Sequence, residues 1–140
     1  MQSSSRAPFI MYVDDDPDDL LIISETMQQF DPFLRVHGFT NSREAFTFLE
    51  SISDGDRLPS LIILDFNMPL WNGLQMLEAI KANSAYQDIP VLIFTNSDHP
   101  RHRELSLSKG AIDFLTKPYG EEELQKTCSR FASYVTHPVF

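Results

Sequence analysis

The sequence predicts an α/β fold in which a five-stranded parallel sheet is doubly wound by helices in (βα)5 order. Five short apolar runs alternate with five longer amphipathic segments along the chain. Three of these runs are almost continuously apolar, as expected of strands that are buried on both faces of a parallel sheet. A chain of 140 residues without an internal repeat or a shift in composition has room for one such domain.

Each strand is predicted from an apolar run, and each helix from a start signal and an apolar face. The strands are expected at 9–13, 34–39, 61–64, 91–94 and 112–115. Pro17 suits the start of the first helix, while Ser42 and Asn72 can cap the second and third. The inward residues of these three helices are predicted to be Leu20, Ile23, Met27 and Phe30, then Ala45, Phe48, Leu49 and Ile52, then Met76, Leu77 and Ile80.

The last two helices differ in the strength of their patterns. The fourth is expected from Pro100 to Lys109, ending at Gly110, with a thin apolar stripe of Leu105 and Leu107. The fifth opens with three glutamates, which are favourable at the positive end of a helix dipole. Its inward face is predicted to be Leu124, Cys128, Phe131 and Val135.

Composition excludes several classes of function. A net charge of −9 without a basic cluster argues against direct binding of nucleic acid. One cysteine, Cys128, allows no internal disulfide and fits a reducing, cytoplasmic setting, and no apolar run is long enough to span a membrane. We expect a flexible leader at 1–8, one domain at 9–135 and a C-terminal tail at 136–140.

Polar side chains follow four of the predicted strands. Asp14 and Asp15 follow the first strand, Asp65 the third, Thr95 the fourth and Lys117 the fifth. Parallel strands bring their carboxyl ends to one edge of a sheet, so we expect these side chains to share one cleft. Three close carboxylates repel one another unless a cation lies between them, and hard oxygen ligands favour Mg²⁺. Such a site could support the attack of a carboxylate on a phosphoryl group.

Other polar residues have simpler interpretations. Asp16, Asp18 and Asp19 are predicted to act as cap and first-turn acids of the first helix. His99 and His102 are interpreted as surface histidines because no third metal ligand is evident, and Trp71 as an anchor of its loop.

Several motifs along the chain resemble those of the response regulator receiver domains of two-component systems. They are Val13-Asp14-Asp15-Asp16-Pro17; Leu61-Ile62-Ile63-Leu64-Asp65 with Asn67-Met68-Pro69 and Gly73; Ile89-Pro90-Val91 leading to Thr95; and Gly110-Ala111 with Phe114 and Lys117-Pro118. They occur in the order and at the spacing of the family and span almost the whole chain. The resemblance implies a flavodoxin-like receiver fold of the stand-alone, single-domain type.

The resemblance also implies a role for each matching residue. Asp65 matches the phospho-acceptor, which takes a phosphoryl group from a sensor histidine kinase or a histidine phosphotransfer protein. The positions that match the Mg²⁺ site are Asp14, Asp15, Asp65 and the backbone carbonyl of Asn67. Thr95 and Lys117 match the residues that meet the phosphoryl group, and Thr95 and Phe114 match the switch pair. From the thin apolar stripe of the fourth helix, we also predict that the output is contact with a downstream protein, or a homodimer, through the face formed by helix four, strand five and helix five.

Three residues depart from the family pattern, and two other functions compete with the receiver. Asn72 stands where an Asp is common, Asn96 where a small residue is usual, and Phe114 where Tyr is commoner. An aspartyl-phosphate hydrolase of the haloacid dehalogenase type also uses an Asp at a strand end, but it needs a second acid where this chain has Asn67. A receiver-like scaffold without phosphorylation is the other alternative, although every matching chemical position is intact.

Overall fold

The computed structural model describes residues 7–53, 56–96 and 98–135, in which strands and helices alternate strictly. The predicted tail and most of the predicted leader lie outside these residues. The strands are β1 (Phe9–Val13), β2 (Arg35–Phe39), β3 (Leu61–Asp65), β4 (Val91–Thr95) and β5 (Asp113–Thr116). The helices are α1 (Pro17–Phe30), α2 (Ser42–Ser51), α3 (Gly73–Ala82), α4 (Pro100–Ser108) and α5 (Glu121–Val135). Among the described residues, the structure contains no helix that could serve as a membrane span.

The five strands form one parallel sheet in the order β2-β1-β3-β4-β5, which confirms the predicted fold class. Every residue of β1, β3 and β4 is buried, as their continuous apolar runs predicted. Because β3 is central, the residue at its carboxyl end lies between the ends of β1 and β4. The order of the strands along the sheet reverses between β1 and β3. Parallel α/β sheets bind ligands at the carboxyl ends of the strands where such a reversal occurs.

Successive side chains of the strands point to opposite faces, so the sheet separates two apolar cores. Ile10, Tyr12, Ile63 and Phe94 pack on one face with residues of α1 and α5. The other face packs against α2 and α3; its strand residues include Met11, Val13, Ile62, Leu64 and Ile93. The predicted inward faces of α2, α3 and α5 are confirmed, since all of their named residues belong to these cores or pack against them.

The start of α2 and the inward face of α1 differ from the predictions. Asn41, not Ser42, caps α2: its side chain accepts a hydrogen bond from the Glu44 amide at 2.8 Å. Ser42 is instead the first helical residue and is buried. In α1, Phe30 is exposed at the last turn, whereas Thr26 is buried and its hydroxyl donates to the Ile22 carbonyl within the helix. The predicted Asn72 cap is confirmed, as part of a capping box with Gln75.

Helix α4 presents a different face to the sheet from the one predicted. Its buried residue is Ser106, whereas Leu107 is 41% exposed. His99 is exposed, as predicted, and in addition its Nδ1 accepts a hydrogen bond from the Arg101 amide and caps the helix. Lys109 is the C-cap, and the chain leaves the helix through Gly110 at a φ of 109°. The weak apolar pattern therefore predicted the helix but not its rotation.

Strand β5 begins one residue later than predicted, and an aspartate rather than an isoleucine faces inward at its start. Ile112 is 46% exposed, whereas Asp113 is 5% exposed. One carboxylate oxygen of Asp113 accepts hydrogen bonds from Arg130 Nε at 2.9 Å and from the Tyr134 hydroxyl at 2.6 Å. These bonds satisfy the buried charge and attach α5 to β5.

Candidate phosphorylation and metal site

Three carboxylates converge at the carboxyl ends of β1 and β3, as the sequence predicted. Asp14, Asp15 and Asp65 each place a carboxylate oxygen so that the three atoms lie within 4.8 Å of one another. Asp14 is completely buried, Asp65 is 5% exposed and Asp15 is exposed. The cluster therefore runs from the interior to the solvent, and a small cation could enter from the side of Asp15.

Asp14 is the most firmly held of the three carboxylates. One of its oxygens accepts hydrogen bonds from the Tyr12 hydroxyl at 2.6 Å and from Lys117 Nζ at 2.7 Å. The other oxygen accepts from the Asp16 amide at 3.0 Å. Burial raises the pKa of the Tyr12 hydroxyl, and the neighbouring Asp14 raises it further, so this hydroxyl remains a donor. Sequence reasoning missed Tyr12, whose place in an apolar run gave no sign of this contact.

Lys117 brings one positive charge to the cluster from the end of β5. The side chain is only 6% exposed, and its ammonium contacts Asp14 at 2.7 Å, Asp19 at 2.8 Å and Asp65 at 3.4 Å. Burial lowers the pKa of Lys117, but its hydrogen bonds with Asp14 and Asp19 outweigh that effect, so the pKa is raised overall. Asp19 was interpreted only as a first-turn acid of α1, and its contact with Lys117 was not foreseen.

Asp65 is held by the loop that follows it. The Asn67 amide donates to one oxygen of its carboxylate at 3.2 Å. Farther along the loop, the Gly73 amide donates to the Phe66 carbonyl at 2.9 Å, and a Cβ atom at Gly73 would lie 2.5 Å from the Asp65 carbonyl oxygen. Only glycine fits at that close approach, which explains why a glycine begins α3.

The predicted residues of β4 and β5 lie beside this cluster. Thr95 is 1% exposed at the end of β4, and its carbonyl accepts a hydrogen bond from the Lys117 amide at 2.7 Å. Phe114 is 1% exposed, so its ring points into the core. Arg103 of α4, which the sequence did not single out, donates to the Phe114 carbonyl at 3.0 Å and places its guanidinium 5.8 Å from the centre of the ring.

Trp71 forms an edge-to-face contact with Phe46 at a centroid distance of 5.6 Å and is 40% exposed. This agrees with its interpretation as a loop anchor.

His99 and His102 stack on each other with ring centroids 4.5 Å apart, and within the described residues neither belongs to a cluster that could hold a metal ion. Cys128 is fully buried in the core, as predicted.

The titration of Asp65 leads to a prediction about stability and pH. Burial raises the pKa of the Asp65 carboxyl to about 6, and the nearby charge of Asp14 contributes to this rise. The native pKa of Asp65 exceeds the unfolded value of 3.8. Asp65 therefore contributes stability that is present below the unfolded pKa, and this stability is lost as pH rises through the native pKa. With EDTA present, we expect Asp65→Asn to melt several degrees above the unmodified protein at neutral pH.

The control for this prediction is the same comparison at acid pH, where the native carboxyl is protonated. The difference in melting temperature between Asp65→Asn and the unmodified protein should shrink there. A difference that stays constant from acid to neutral pH would contradict an elevated native pKa for Asp65.

Comparison with known proteins identifies the family to which this fold and site belong. Residues 10–129 match the model of the response regulator receiver domain. The two-component response regulator ORR5 of Oryza sativa subsp. japonica is 31% identical over 124 residues, which cover 89% of this chain and 88% of that protein. The cyclic di-GMP phosphodiesterase response regulator RpfG of Xanthomonas campestris pv. campestris is 29% identical over 86% of this chain, but the match spans only 30% of that protein.

The fold has close counterparts among solved structures. The phosphorylated cyanobacterial phytochrome response regulator RcpA superposes with a TM-score of 0.82 at 21% identity, over 95% of this chain and 96% of that one. Together with the family match, this likeness disfavours the hydrolase alternative. A chain that matches the family model over 120 of its 140 residues, and that shares the receiver fold and its acidic cluster, belongs to the response regulator receiver domain family.

Proposed function

We propose that Asp65 accepts a phosphoryl group from a phosphohistidine on a sensor histidine kinase or a histidine phosphotransfer protein. The observation that carries this proposal is the buried Asp65 carboxylate, which lies within 4.8 Å of two other carboxylates and within 3.4 Å of the Lys117 ammonium. A carboxylate in such a place is a phosphoryl nucleophile whose surroundings can neutralise the incoming charge. The protein then acts as a signalling switch rather than as an enzyme with an external substrate.

In this reaction an oxygen of the Asp65 carboxylate forms a bond to phosphorus while the bond between phosphorus and the imidazole nitrogen breaks. Lys117 donates hydrogen bonds to the phosphoryl oxygens, and the Thr95 hydroxyl donates another. The residues that would hold Mg²⁺ are Asp14, Asp15, Asp65 and the Asn67 carbonyl, and their hard oxygen atoms suit that ion. Bound Mg²⁺ supplies charge neutralisation to the phosphoryl group.

Phosphorylation by a small donor tests the proposal directly. Incubation with Mg²⁺ and acetyl phosphate, followed by intact mass measurement and peptide mapping, should give one phosphoryl adduct located on Asp65. An adduct located elsewhere, or the same yield in EDTA, would contradict the proposed site.

Mg²⁺ is expected to stabilise the unphosphorylated protein, because a cation between Asp14, Asp15 and Asp65 relieves their repulsion. A ligand that binds only the native state adds about 2.7 kcal/mol to the free energy of unfolding at a hundredfold excess over its Kd. Thermal melts with Mg²⁺ and with EDTA at matched ionic strength measure this effect.

Two variants localise the Mg²⁺ effect. Asp15→Asn should reduce the Mg²⁺-dependent rise in melting temperature, because it removes one carboxylate of the cluster. Asp16→Asn should preserve the rise: Asp16 caps α1 through its side chain, a role that asparagine also fills. Equal melting temperatures of the unmodified protein with and without Mg²⁺ would count against the metal site.

We also propose that phosphorylation is read out through the face formed by α4, β5 and α5. Helix α4 buries Ser106 as its one fully covered residue, so little apolar contact fixes its position. Arg103 donates to the Phe114 carbonyl at 3.0 Å and places its guanidinium 5.8 Å from the centre of the Phe114 ring, so a movement of that ring would be passed to α4. The exposed apolar side chains Leu107 and Ile112 offer contact area on or beside this helix.

Hydrogen exchange should detect this change. On phosphorylation we expect altered exchange in α4 and β5 and little change in α3, whose Met76, Leu77 and Ile80 are fully buried. Arg103→Ala should weaken the response of α4 without preventing phosphorylation of Asp65. Changes that are confined to the loops around Asp65, or that spread evenly over the domain, would contradict the proposed output face.

The partners follow from this assignment. The donor is a histidine kinase or a phosphotransfer protein, and the receiver of the signal is a downstream protein or a second copy of the chain at the α4-β5-α5 face. A cytoplasmic location, with no direct contact with nucleic acid or membrane, is part of the proposal and is supported by the net charge of −9 and the single cysteine.

A further inference from the structure

The Lys117 ammonium has three N–H groups, and three carboxylates share them unequally. Asp14 and Asp19 lie at 2.7 and 2.8 Å, whereas Asp65 lies at 3.4 Å. A charge-assisted N–H···O bond is normally about 2.7–2.9 Å long, so the contact with Asp65 is the weak one. In this state Lys117 is therefore bound mainly by two acids that are not the proposed phospho-acceptor.

The two strong acceptors are themselves held differently. Asp14 is fully buried and is fixed by Tyr12 and by the Asp16 amide in addition to Lys117. Asp19 lies in the first turn of α1, and its side chain is 29% exposed. Its carboxylate is held by the hydrogen bond that it accepts from Lys117. Asp14 is thus a fixed part of the site, and Asp19 is an acceptor that solvent can replace.

We propose that Asp19 is a positioning residue that holds Lys117 back from Asp65 until a phosphoryl group competes for it. The proposal rests on the assignment of Asp65 as phospho-acceptor and adds a residue that the family resemblance did not assign. Charge develops on the phosphoryl oxygens during transfer, and Lys117 must turn toward them to stabilise it. The bond with Asp19 opposes that movement, so Asp19 sets how readily the site accepts a phosphoryl group.

The chain provides a matched control for this role. Asp18 precedes Asp19 in the same first helical turn, so Asp18→Asn and Asp19→Asn remove the same charge near the same helix dipole. Asp18 is exposed and does not contact Lys117 in the structure. A difference between the two variants therefore reports on the contact with Lys117 and not on the net charge of the turn.

The experiment measures the initial rate of Asp65 labelling by acetyl phosphate at saturating Mg²⁺. Asp19→Asn should accelerate labelling by about three- to fivefold, the effect of weakening one partly exposed ion pair, and Asp18→Asn should stay within about twofold of the unmodified protein. Asp19→Glu restores the carboxylate and should return the rate toward the unmodified value. Equal rates for Asp18→Asn and Asp19→Asn, or slower labelling in Asp19→Asn, would overturn the proposal.

A double variant tests whether the effect passes through Lys117. In a Lys117→Met background the acceleration by Asp19→Asn should disappear, because no ammonium remains to be released. Persistence of the full acceleration would show that Asp19 acts on the donor or the metal directly, which overturns the positioning role.

A measurement without phosphorylation separates this inference from the proposed function. In the unphosphorylated protein, the ¹⁵N resonance of the Lys117 ammonium should shift in Asp19→Asn and remain in place in Asp18→Asn. If the unmodified protein forms no Asp65 adduct, the proposed function fails regardless of this result. If the adduct forms but the resonance is unchanged in Asp19→Asn, the positioning role alone fails.

Discussion

Asp65→Asn is expected to abolish the phosphoryl adduct that forms with Mg²⁺ and acetyl phosphate, while the fold is preserved. Asparagine has nearly the same shape as aspartate and can still accept the hydrogen bond that the Asn67 amide makes with Asp65 at 3.2 Å. The amide is not a nucleophile for phosphorus, so the acyl phosphate cannot form. Asp14 cannot replace Asp65, because its oxygens are engaged by Tyr12, Lys117 and the Asp16 amide.

Intact mass measurement on the variant and on a control checks this result. Asp88→Asn is the control, since Asp88 is exposed in the segment between α3 and β4, away from the carboxyl ends of the strands. It should label like the unmodified protein. An adduct that survives in Asp65→Asn would show that another residue is the acceptor, and a circular dichroism spectrum unlike that of the unmodified protein would point to loss of the fold instead.

Lys117→Met is expected to cause the largest loss of stability among the site variants in the absence of Mg²⁺. The side chains of Lys117 and Asp14 are 6% and 0% exposed, so the pair is fully desolvated. Removing one partner of a buried ion pair leaves the other charge uncompensated, which costs about 3–5 kcal/mol. Asp65 loses the same counter-charge, and its repulsion with Asp14 adds to the cost.

Urea unfolding in EDTA at neutral pH measures this loss, with Lys126→Met as the matched control. Lys126 pairs with Glu123 at 3.7 Å, and the two side chains are 69% and 63% exposed, so its removal should change the free energy of unfolding by less than about 1 kcal/mol. Mg²⁺ should restore part of the stability of Lys117→Met, because a cation can replace the ammonium charge. Equal stabilities of the Lys117 and Lys126 variants would contradict the proposed electrostatic role of Lys117.

The order of strands and helices could be predicted from the sequence because apolar periodicity reports local geometry. The continuous runs that became β1, β3 and β4 are buried in full, and the period of α3 correctly placed Met76, Leu77 and Ile80. The same periodicity failed for α4, whose apolar stripe is thin. Its rotation is set by contacts with β5, and it buries Ser106 in place of the predicted Leu107.

The sequence alone determined that five side chains converge at one edge of the sheet, since each follows a predicted strand and parallel strands end together. These side chains are Asp14, Asp15, Asp65, Thr95 and Lys117. Which of these side chains contact each other was decided by the tertiary structure. Lys117 meets Asp19 across 98 residues of chain and Asp14 across 103. Sequence periodicity carries no information on such distances, because they depend on how α1 packs against β2 and α5 and on which buried charges must be neutralised. The hydrogen bond from Tyr12 to Asp14 and the bond from Arg103 to Phe114 were decided in the same way.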